Sequence, residues 1–312
     1  MKTYVISSIE ENQRVDKYIM KILGNASKSF IYKMFRKKNI KINDQRIVGN
    51  EILKEGDIIK IFFSDDTFET FKKVEEVNHS RNICFSVIYE DENLLICNKP
   101  VGLLSQPDGK SESLVQQVES YLNIKESSFK PGICNRLDRN TSGIIIAGKN
   151  IKALQVINDS ISKRNIDKDY LTIVKGIILT ENTIEGYLYK NESTNKVTIN
   201  KDPSKGDFIR TIYRPIKDNG AYTLLEVKII TGKSHQIRAH LQSIGHPIIG
   251  DYKYGDMTVN RFFSRRFNLN NQLLHAYKYT FLDIEEPLKY LINKQFDAPI
   301  TEQFNTIIQQ LF

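Results

Sequence analysis

The stretch of this sequence that most strongly suggests chemistry is NRLDRNTSG, at residues 135 to 143. Within it, Asp138 stands between Arg136 and Arg139, just ahead of a Thr-Ser-Gly turn that leads into an apolar run. Neighbouring positive charge favours the ionised carboxyl, so such an aspartate can stay anionic even when partly buried. An aspartate that stays ionised can act as a nucleophile or as a base. The alternative, a structural Arg–Asp salt bridge that pins a turn, is at least as good an interpretation of these residues alone.

Two other patterns suggest chemistry that their surroundings exclude. The run TGKS at residues 231 to 234 resembles the end of a phosphate-binding loop, but Val227 stands where such a loop needs a glycine. The residues His235, His240 and His246 lie close along the chain, without an HExxH pattern or a carboxylate that would complete a zinc site. We therefore predict no nucleotide or metal site, and we interpret the histidines as structural or anion-facing.

Short β-type runs dominate the chain from Phe85 onward and must position Asp138. Two segments among them predict helices: residues 150 to 164, with Asn150 as N-cap, and a second helix from about Ser234 to Ser243. Because strands outnumber helices, the predicted fold class is α+β with a largely antiparallel sheet. The strand-like runs are FSVIY, LLIC, GIIIAG, YLTIVKG, IRTIY and YTLLEVKII.

Residues 1 to 64 form a separate unit that is dense in Lys and Arg. Residues 27 to 38 predict an amphipathic helix with Ser27 as N-cap, and residues 41 to 48 predict a strand and a turn. Residues 65 to 82 are polar without clean periodicity and are interpreted as a linker. The predicted helix carries an apolar stripe of Phe30, Ile31, Met34 and Phe35, and a cationic face of Lys33, Arg36 and Lys37. Taken alone, such a face more often only keeps a small domain soluble.

Composition bounds the class of protein. The 312 residues predict about two domains, and 40% hydrophobic residues without low-complexity tracts predict a globular chain. No run approaches the ~18 apolar residues of a membrane span, so we expect a cytoplasmic protein. In that compartment, Cys84, Cys97 and Cys134 are expected to be buried, reduced thiols. The formal net charge of +8 permits a polyanion such as RNA as partner.

Four segments in order resemble the motifs of the RluA-type family of RNA pseudouridine synthases. The segment at 135 to 150 contains the Arg-Leu-Asp triplet, and KDYLTIVKG at 168 to 176 resembles the family's tyrosine-bearing strand. The segment at 87 to 107 contains Asn-Lys-Pro, and the one at 224 to 255 contains Gln-Ile-Arg and the Gly-Asp and Tyr-Gly pairs. Residues 273 to 276, LLHA, extend the match.

The resemblance implies a role for particular residues. Asp138 would be the essential residue, as nucleophile at the anomeric carbon or as base on the ribose, and these two roles stay open. Arg238 would pair with Asp138 and keep it ionised, while Tyr170 would lie against the target base. Arg136 would contact backbone phosphate or fill the space of a flipped base. The remaining implied residues are Lys99, which buttresses the site, and Leu274, which lines the pocket.

Residues 13 to 62 also resemble the small S-four-type RNA-binding domain that precedes the catalytic domain in several members. The resemblance thus implies residues 1 to 64 as an RNA-binding domain, 65 to 82 as a linker and 83 to 312 as the catalytic domain. This chain departs from the family pattern twice: Asn135 stands where His is usual before the triplet, and Asn39 where Gly is usual in a helix-to-strand turn. Asn tolerates the left-handed conformation that such a turn often uses.

The implied function is isomerisation of uridine to pseudouridine in RNA, by analogy in large-subunit ribosomal RNA, with base flipping and no cofactor. We expect the protein to be a monomer, to bind RNA and not to bind a membrane. Transfer RNA is the alternative substrate, and an RNA-binding or ribosome-assembly protein with an inactive synthase fold is the alternative function. A glycoside hydrolase would usually need two carboxylates around the scissile bond, and only Asp138 has a motif around it.

Overall fold

The computed structural model describes residues 1–72, 82–123, 129–191 and 196–312. A first domain, residues 1–72, and a second domain, residues 82–312, each combine helices with a sheet and have their own hydrophobic cores. The predicted α+β class is confirmed. Among the described residues, no helix is long and apolar enough to cross a membrane.

The first domain packs its helices against a four-stranded sheet of order β1-β4-β2-β3. The fully buried side chains Ile19, Ile31 and Ile59 join the two layers in one core. Its elements are β1 (Lys2–Val5), α1 (Val15–Ile22), α2 (Lys28–Arg36), β2 (Ile40–Ile42), β3 (Gln45–Arg46), β4 (Ile58–Ile61) and α3 (Asp65–Phe71).

The predicted cationic helix and the turn after it are both present. Helix α2 follows Ser27, whose hydroxyl accepts the backbone N–H of Phe30 as an N-cap. Strands β2 and β3 are joined at Asn43 and Asp44, whose φ angles of 48° and 63° are those of a two-residue hairpin loop. Both predictions for this region are confirmed.

The turn that leaves α2 differs from its prediction at one position. The left-handed residue is Lys38, with φ 61°, and not Asn39. Both backbone polar groups of Asn39 are hydrogen-bonded: its N–H donates to the Met34 carbonyl, and its carbonyl accepts the N–H of Phe62. Asn39 is therefore already tied to the sheet, and the residue before it makes the turn.

The predicted linker is wrong in its first part. Residues 65 to 71 form α3, which begins after an N-cap at Ser64 and buries Phe68 in the first core. Acidic residues in the first turn suit the positive end of the helix dipole. Two turns with one buried side chain give too little periodicity to be recognised from sequence. The first domain thus extends to residue 72, and residues 73 to 81 of the predicted linker lie outside the described residues.

The second domain is built on an eleven-stranded sheet, whose main path runs β11-β10-β12-β13-β9-β14-β8-β6-β5, with β15 on β14 and β7 on β8. Its strands are β5 (Ser86–Glu90), β6 (Leu94–Lys99), β7 (Gly132–Ile133), β8 (Ser142–Gly148), β9 (Ile166–Lys175), β10 (Asn182–Asn191), β11 (Lys196–Asn200), β12 (Asp207–Asp218), β13 (Tyr222–Ile229), β14 (Leu274–Phe281) and β15 (Gln295–Asp297). Its helices are α4 (Leu114–Leu122), α5 (Ile151–Ser162), α6 (Gln236–Ser243), α7 (Met257–Phe267) and α8 (Glu302–Leu311).

The largely antiparallel character of the sheet is confirmed. Among the paired strands that the structure describes, only β8 and β14 run parallel. They approach each other at Gly143, which has φ 117° and pairs with Ala276. A Cβ atom added to Gly143 would lie 2.2 Å from the Ala276 carbonyl oxygen. Glycine is required here both by the backbone angle and by the close approach.

Both helices predicted in this domain are present. Helix α5 is capped by Asn150, whose side chain accepts the N–H of Ala153. Helix α6 begins at Gln236, slightly later than predicted, because His235 occupies its N-cap in a left-handed conformation.

The expectation that all three cysteines are buried is wrong for one of them. Cys97 is buried and Cys134 is half-buried, but Cys84 is exposed, and all three are free thiols. Cys84 lies before the first strand of the second domain, where the N–H of Cys84 donates to the Gln117 side chain. The backbone is anchored there, and the thiol is left at the surface.

Candidate active site

Asp138 lies in the loop between β7 and β8, and the loop's backbone is fixed on both sides of it. Leu137 is buried, and the Ser105 hydroxyl accepts its N–H and donates to its carbonyl. The N–H of Thr141 donates to the carbonyl of Asp138. Leu137 therefore anchors the loop in the core, while the Asp138 carboxylate keeps 26% of its side chain exposed. The result is a carboxylate that is held in place and open to a substrate.

Arg238 on α6 connects Asp138 to a second carboxylate. Its Nη1 donates to Asp138 Oδ2 at 2.6 Å, while Nε and Nη2 donate to the two oxygens of Asp251 at 2.7 and 2.9 Å. Burial alone would lower the pKa of Arg238, but the hydrogen bonds and charges of both aspartates outweigh it and raise that pKa. The sequence prediction that Arg238 faces Asp138 agrees with this geometry, in which the arginine is always charged.

Asp251 is a site residue that the sequence reasoning did not single out. Its side chain is fully buried, and Oδ1 also accepts the backbone N–H groups of Lys253 and Tyr254. Burial alone would raise the pKa of Asp251, but the hydrogen bonds and charge of Arg238 and the backbone hydrogen bonds outweigh burial and lower that pKa below its usual value. Asp251 is therefore an anion. Its carbonyl accepts the side chain of Asn260 from α7. The Gly-Asp pair in the fourth segment was the available signal, but only the fold shows which arginine it orients.

Tyr170 on β9 lies in the core below this loop. Its hydroxyl is 3.4 Å from that of Tyr279 on β14, and the Asn135 amide donates to Tyr279 at 3.1 Å. Burial raises the pKa of Tyr170 to about 12, so it is a neutral phenol at neutral pH. Asn135 also pairs with the backbone of β8, accepting from Ile146 and donating to Ile144. Asn135, one of the two residues that depart from the family pattern, therefore joins the Asp138 loop to the tyrosine pair.

Lys99 ends β6, and its side chain is fully buried. Its Nζ donates to the carbonyls of Pro100, Leu103 and Arg139 at 2.9, 2.8 and 3.2 Å. Burial lowers its pKa to about 7, an effect that the charge of Asp138 opposes. Three acceptors match the three donors of an ammonium group. Lys99 thus ties its own turn to the residue after Asp138, in agreement with a buttressing role.

The other predicted site residues differ in burial and in location. Leu274 is buried on β14 and belongs to the same core cluster as Tyr170. Arg136 is exposed beside Asp138. Arg139 is exposed too, but its Nε donates to the Gly102 carbonyl, so it closes the loop. Lys33 and Arg36 on α2, and Lys37 at its C-cap, are all exposed in the first domain.

The three histidines do not form one cluster. His235 has its Nε2 3.8 Å from Asp138 Oδ2, His240 is buried against Thr211, and His246 contacts the Lys175 carbonyl. In the described part of the chain, no group of three or more His, Cys, Asp or Glu side chains could hold a metal ion. What the site offers is an oriented carboxyl group, a guanidinium beside it and a buried neutral phenol.

Comparison with known proteins finds a family model and close to full-length relatives. Residues 93–243 match the family model described as RNA pseudouridylate synthase. The ribosomal large subunit pseudouridine synthase C of Buchnera aphidicola subsp. Acyrthosiphon pisum (strain APS) is 30% identical over 298 residues, which cover 95% of this chain and 94% of that protein. The protein of the same name from Haemophilus influenzae (strain ATCC 51907 / DSM 11121 / KW20 / Rd) is 30% identical over 100% of this chain and 95% of its own length.

Solved structures show the same fold. Human RNA Pseudouridylate Synthase Domain Containing 4 aligns with a TM-score of 0.58 at 19% identity, covering 72% of this chain and 92% of that one. Human RNA Pseudouridylate Synthase Domain Containing 1 aligns with a TM-score of 0.53 at 21% identity, covering 72% and 94%. The sequence relatives, which cover 95% and 100% of this chain, identify it as an isomerase of the RNA pseudouridylate synthase family.

Proposed function

We propose that this chain converts specific uridines of large-subunit ribosomal RNA to pseudouridine. The observation that carries the proposal is the Asp138 carboxylate, which is open to substrate and bonded to a buried arginine at 2.6 Å. The relatives that share nearly the whole chain are named for the large ribosomal subunit, and this supports ribosomal over transfer RNA.

The proposed reaction detaches uracil from its ribose, turns it and rejoins it through carbon 5. Asp138 acts on the ribose, as nucleophile or as base, and must be an anion in either role. Arg238 holds that anion in position. The buried phenol of Tyr170 offers the base a flat ring and a hydroxyl that donates or accepts. The reaction transfers neither electrons nor phosphate, so the proposal includes no cofactor.

The target base has to leave its stack to reach Asp138, which costs a few kcal/mol. Contacts to phosphates offset that cost. We assign such contacts to Arg136 at the site and to the exposed cations of α2, and we propose that the first domain is an S-four-type RNA-binding domain. The enzyme is proposed to work as a cytoplasmic monomer.

The test is a map of pseudouridine in total RNA from cells with and without the gene. Wild type should restore one or more marks in large-subunit ribosomal RNA, and Asp138→Ala should restore none. Marks that disappear only from transfer RNA would change the substrate. An unchanged map would overturn the activity, and restoration by the Ala variant would overturn the role of Asp138.

A further inference from the structure

His235 combines a strained backbone with a side chain aimed at the reacting carboxylate. It stands at the N-cap of α6 with φ 56° and ψ 16°, a left-handed conformation that costs a non-glycine residue about 1 kcal/mol or more. Its side chain makes no capping hydrogen bond. Helix formation therefore does not explain this residue, and the direction of its ring does.

The hydrogen bonds around Tyr254 assign the proton on the imidazole. The Tyr254 oxygen accepts the backbone N–H of Val197 at 2.9 Å, and His235 Nδ1 is 2.9 Å from the same oxygen. The phenol's own proton is then best directed to Nδ1, which leaves the imidazole proton on Nε2. The other tautomer would point a lone pair at Asp138. Burial lowers the pKa of His235, against the charge of Asp138, so the ring is neutral at neutral pH.

The Nε2–H of His235 points toward Asp138 but is too far from it for a direct hydrogen bond. Nε2 and Oδ2 are 3.8 Å apart, which is longer than a hydrogen bond. An oxygen atom about 2.8 Å from each of them fits beside the line that joins them. Such an oxygen would accept from Nε2–H and donate to the carboxylate. A hydroxyl group has both capacities, whereas a phosphate or a carbonyl oxygen can only accept.

We propose that His235 contacts the substrate, with Nε2–H donating to the 2′-hydroxyl of the target uridine while that hydroxyl donates to Asp138. The inference rests on the proposed function. Asp138 acts on the ribose in either of its candidate roles, and the 2′-hydroxyl is on the carbon next to the anomeric carbon. His235 thereby reads the feature that distinguishes RNA from DNA, and places the ribose against the carboxylate.

The variant for the test is His235→Asn, because Asn tolerates the left-handed backbone and its shorter amide cannot reach Asp138. On a large-subunit ribosomal RNA fragment that wild type converts, kcat/KM should fall about 10-fold to 100-fold, the usual effect of losing one good hydrogen bond near a charge. The matched control is His246→Asn, whose ring is hydrogen-bonded to the Lys175 carbonyl and lies beside Gly176, and it should stay within about twofold.

A second measurement separates contact with the hydroxyl from a merely structural effect. In an Asp138→Asn background, which does not react, binding is measured for the same fragment with uridine or 2′-deoxyuridine at the target. The deoxy substitution should weaken binding about fivefold with His235 present, and less than about twofold with His235→Asn. Equal weakening in both proteins, or undiminished kcat/KM in His235→Asn, would overturn the contact. Failure of wild type to convert any uridine would instead overturn the proposed function itself.

Discussion

Arg238 is bonded to two carboxylates at once, and they contribute differently. Asp251 takes two of its nitrogens and has no exposed surface, whereas Asp138 takes one and stays open. The buried pair fixes the plane of the guanidinium, and the remaining N–H then sets the position of Asp138. Asp138, for which we propose the reacting role, thus receives its geometry through Arg238 from the fully buried Asp251.

We expect Asp251→Asn to damage both stability and rate. Removing the Asp251 charge breaks a fully buried ion pair and leaves Arg238 with the partly exposed Asp138 as its carboxylate partner, so the free energy of unfolding should fall by about 3 kcal/mol. The rate at saturating RNA should fall about 100-fold because Arg238 loses its fixed plane. Urea unfolding and single-turnover rates measure the two effects. The control Asp256→Asn, at the cap of α7, should cost under about 1 kcal/mol, and a fully active, stable Asp251→Asn would contradict this role.

The buried tyrosine pair predicts a loss of stability at alkaline pH. Burial raises the pKa of Tyr170 to about 12, and raises that of Tyr279 well above its usual 10. In the unfolded chain both phenols lose their protons near pH 10, so between about pH 10 and 12 the unfolded state binds fewer protons. Stability should therefore fall as pH rises through this window.

Urea midpoints measured across that window check the prediction. Tyr170→Phe should flatten the decline, and so should Tyr279→Phe. Tyr252→Phe, at a ring that is 47% exposed, serves as the control and should leave the slope unchanged. Identical slopes in all four proteins would refute the tyrosine assignment.

At the scale of elements, the sequence was most informative where a local signal coincides with a structural requirement. Ser27 and Asn150 both cap the helices they predict, because a cap depends on neighbours only a few residues away. Helix α3 was missed, since one buried phenylalanine is no periodic pattern. Asp251 was not singled out, because a Gly-Asp pair alone does not show which arginine its carboxylate binds, although Arg238 is only 13 residues away. The contacts of Asp138 with Arg238 and His235 arise only when the β7–β8 loop meets the start of α6, over about a hundred residues of chain.

Helix α2 carries a prediction of its own. Replacing Lys33, Arg36 and Lys37 together by Gln should lower the slope of log affinity against log salt by about 2 to 3, since each lost phosphate contact contributes nearly one. The rate at saturating RNA should not change. The matched control replaces Lys152, Lys217 and Lys289, three exposed lysines of the second domain. If both triple variants change the slope equally, α2 has no special contact with RNA.

At the scale of the whole molecule, the two domains have separate cores. Two hydrogen bonds between their described residues go to α5: the carbonyl of Ile9 accepts the N–H of Ile151 at 3.3 Å, and that of Asn12 accepts the Gln155 side chain at 3.0 Å. The hydrogen bonds described above for Asp138 and Arg238 come from residues of the second domain. We therefore expect the first domain to add binding surface without completing the group around Asp138.

Deletion of residues 1–72 should weaken RNA binding about tenfold or more at moderate salt, because the cations of α2 are lost. The rate at saturating RNA should stay within about threefold of wild type. Filter binding and single-turnover conversion of a ribosomal RNA fragment separate the two quantities. A truncated protein that binds normally would contradict the proposed RNA-binding domain, and one that binds but cannot turn over would show that the first domain takes part in the site.

The close approach at Gly143 has a consequence for the evolution of this chain. Alanine there would push a methyl group into the Ala276 carbonyl and separate the strand that follows Asp138 from the strand that carries Leu274 and Tyr279. Every substitution of Gly143 adds a Cβ atom, so we expect each of them to be destabilising. We therefore expect selection to hold this position firmly, although its contribution is to the packing of two strands and not to the group around Asp138.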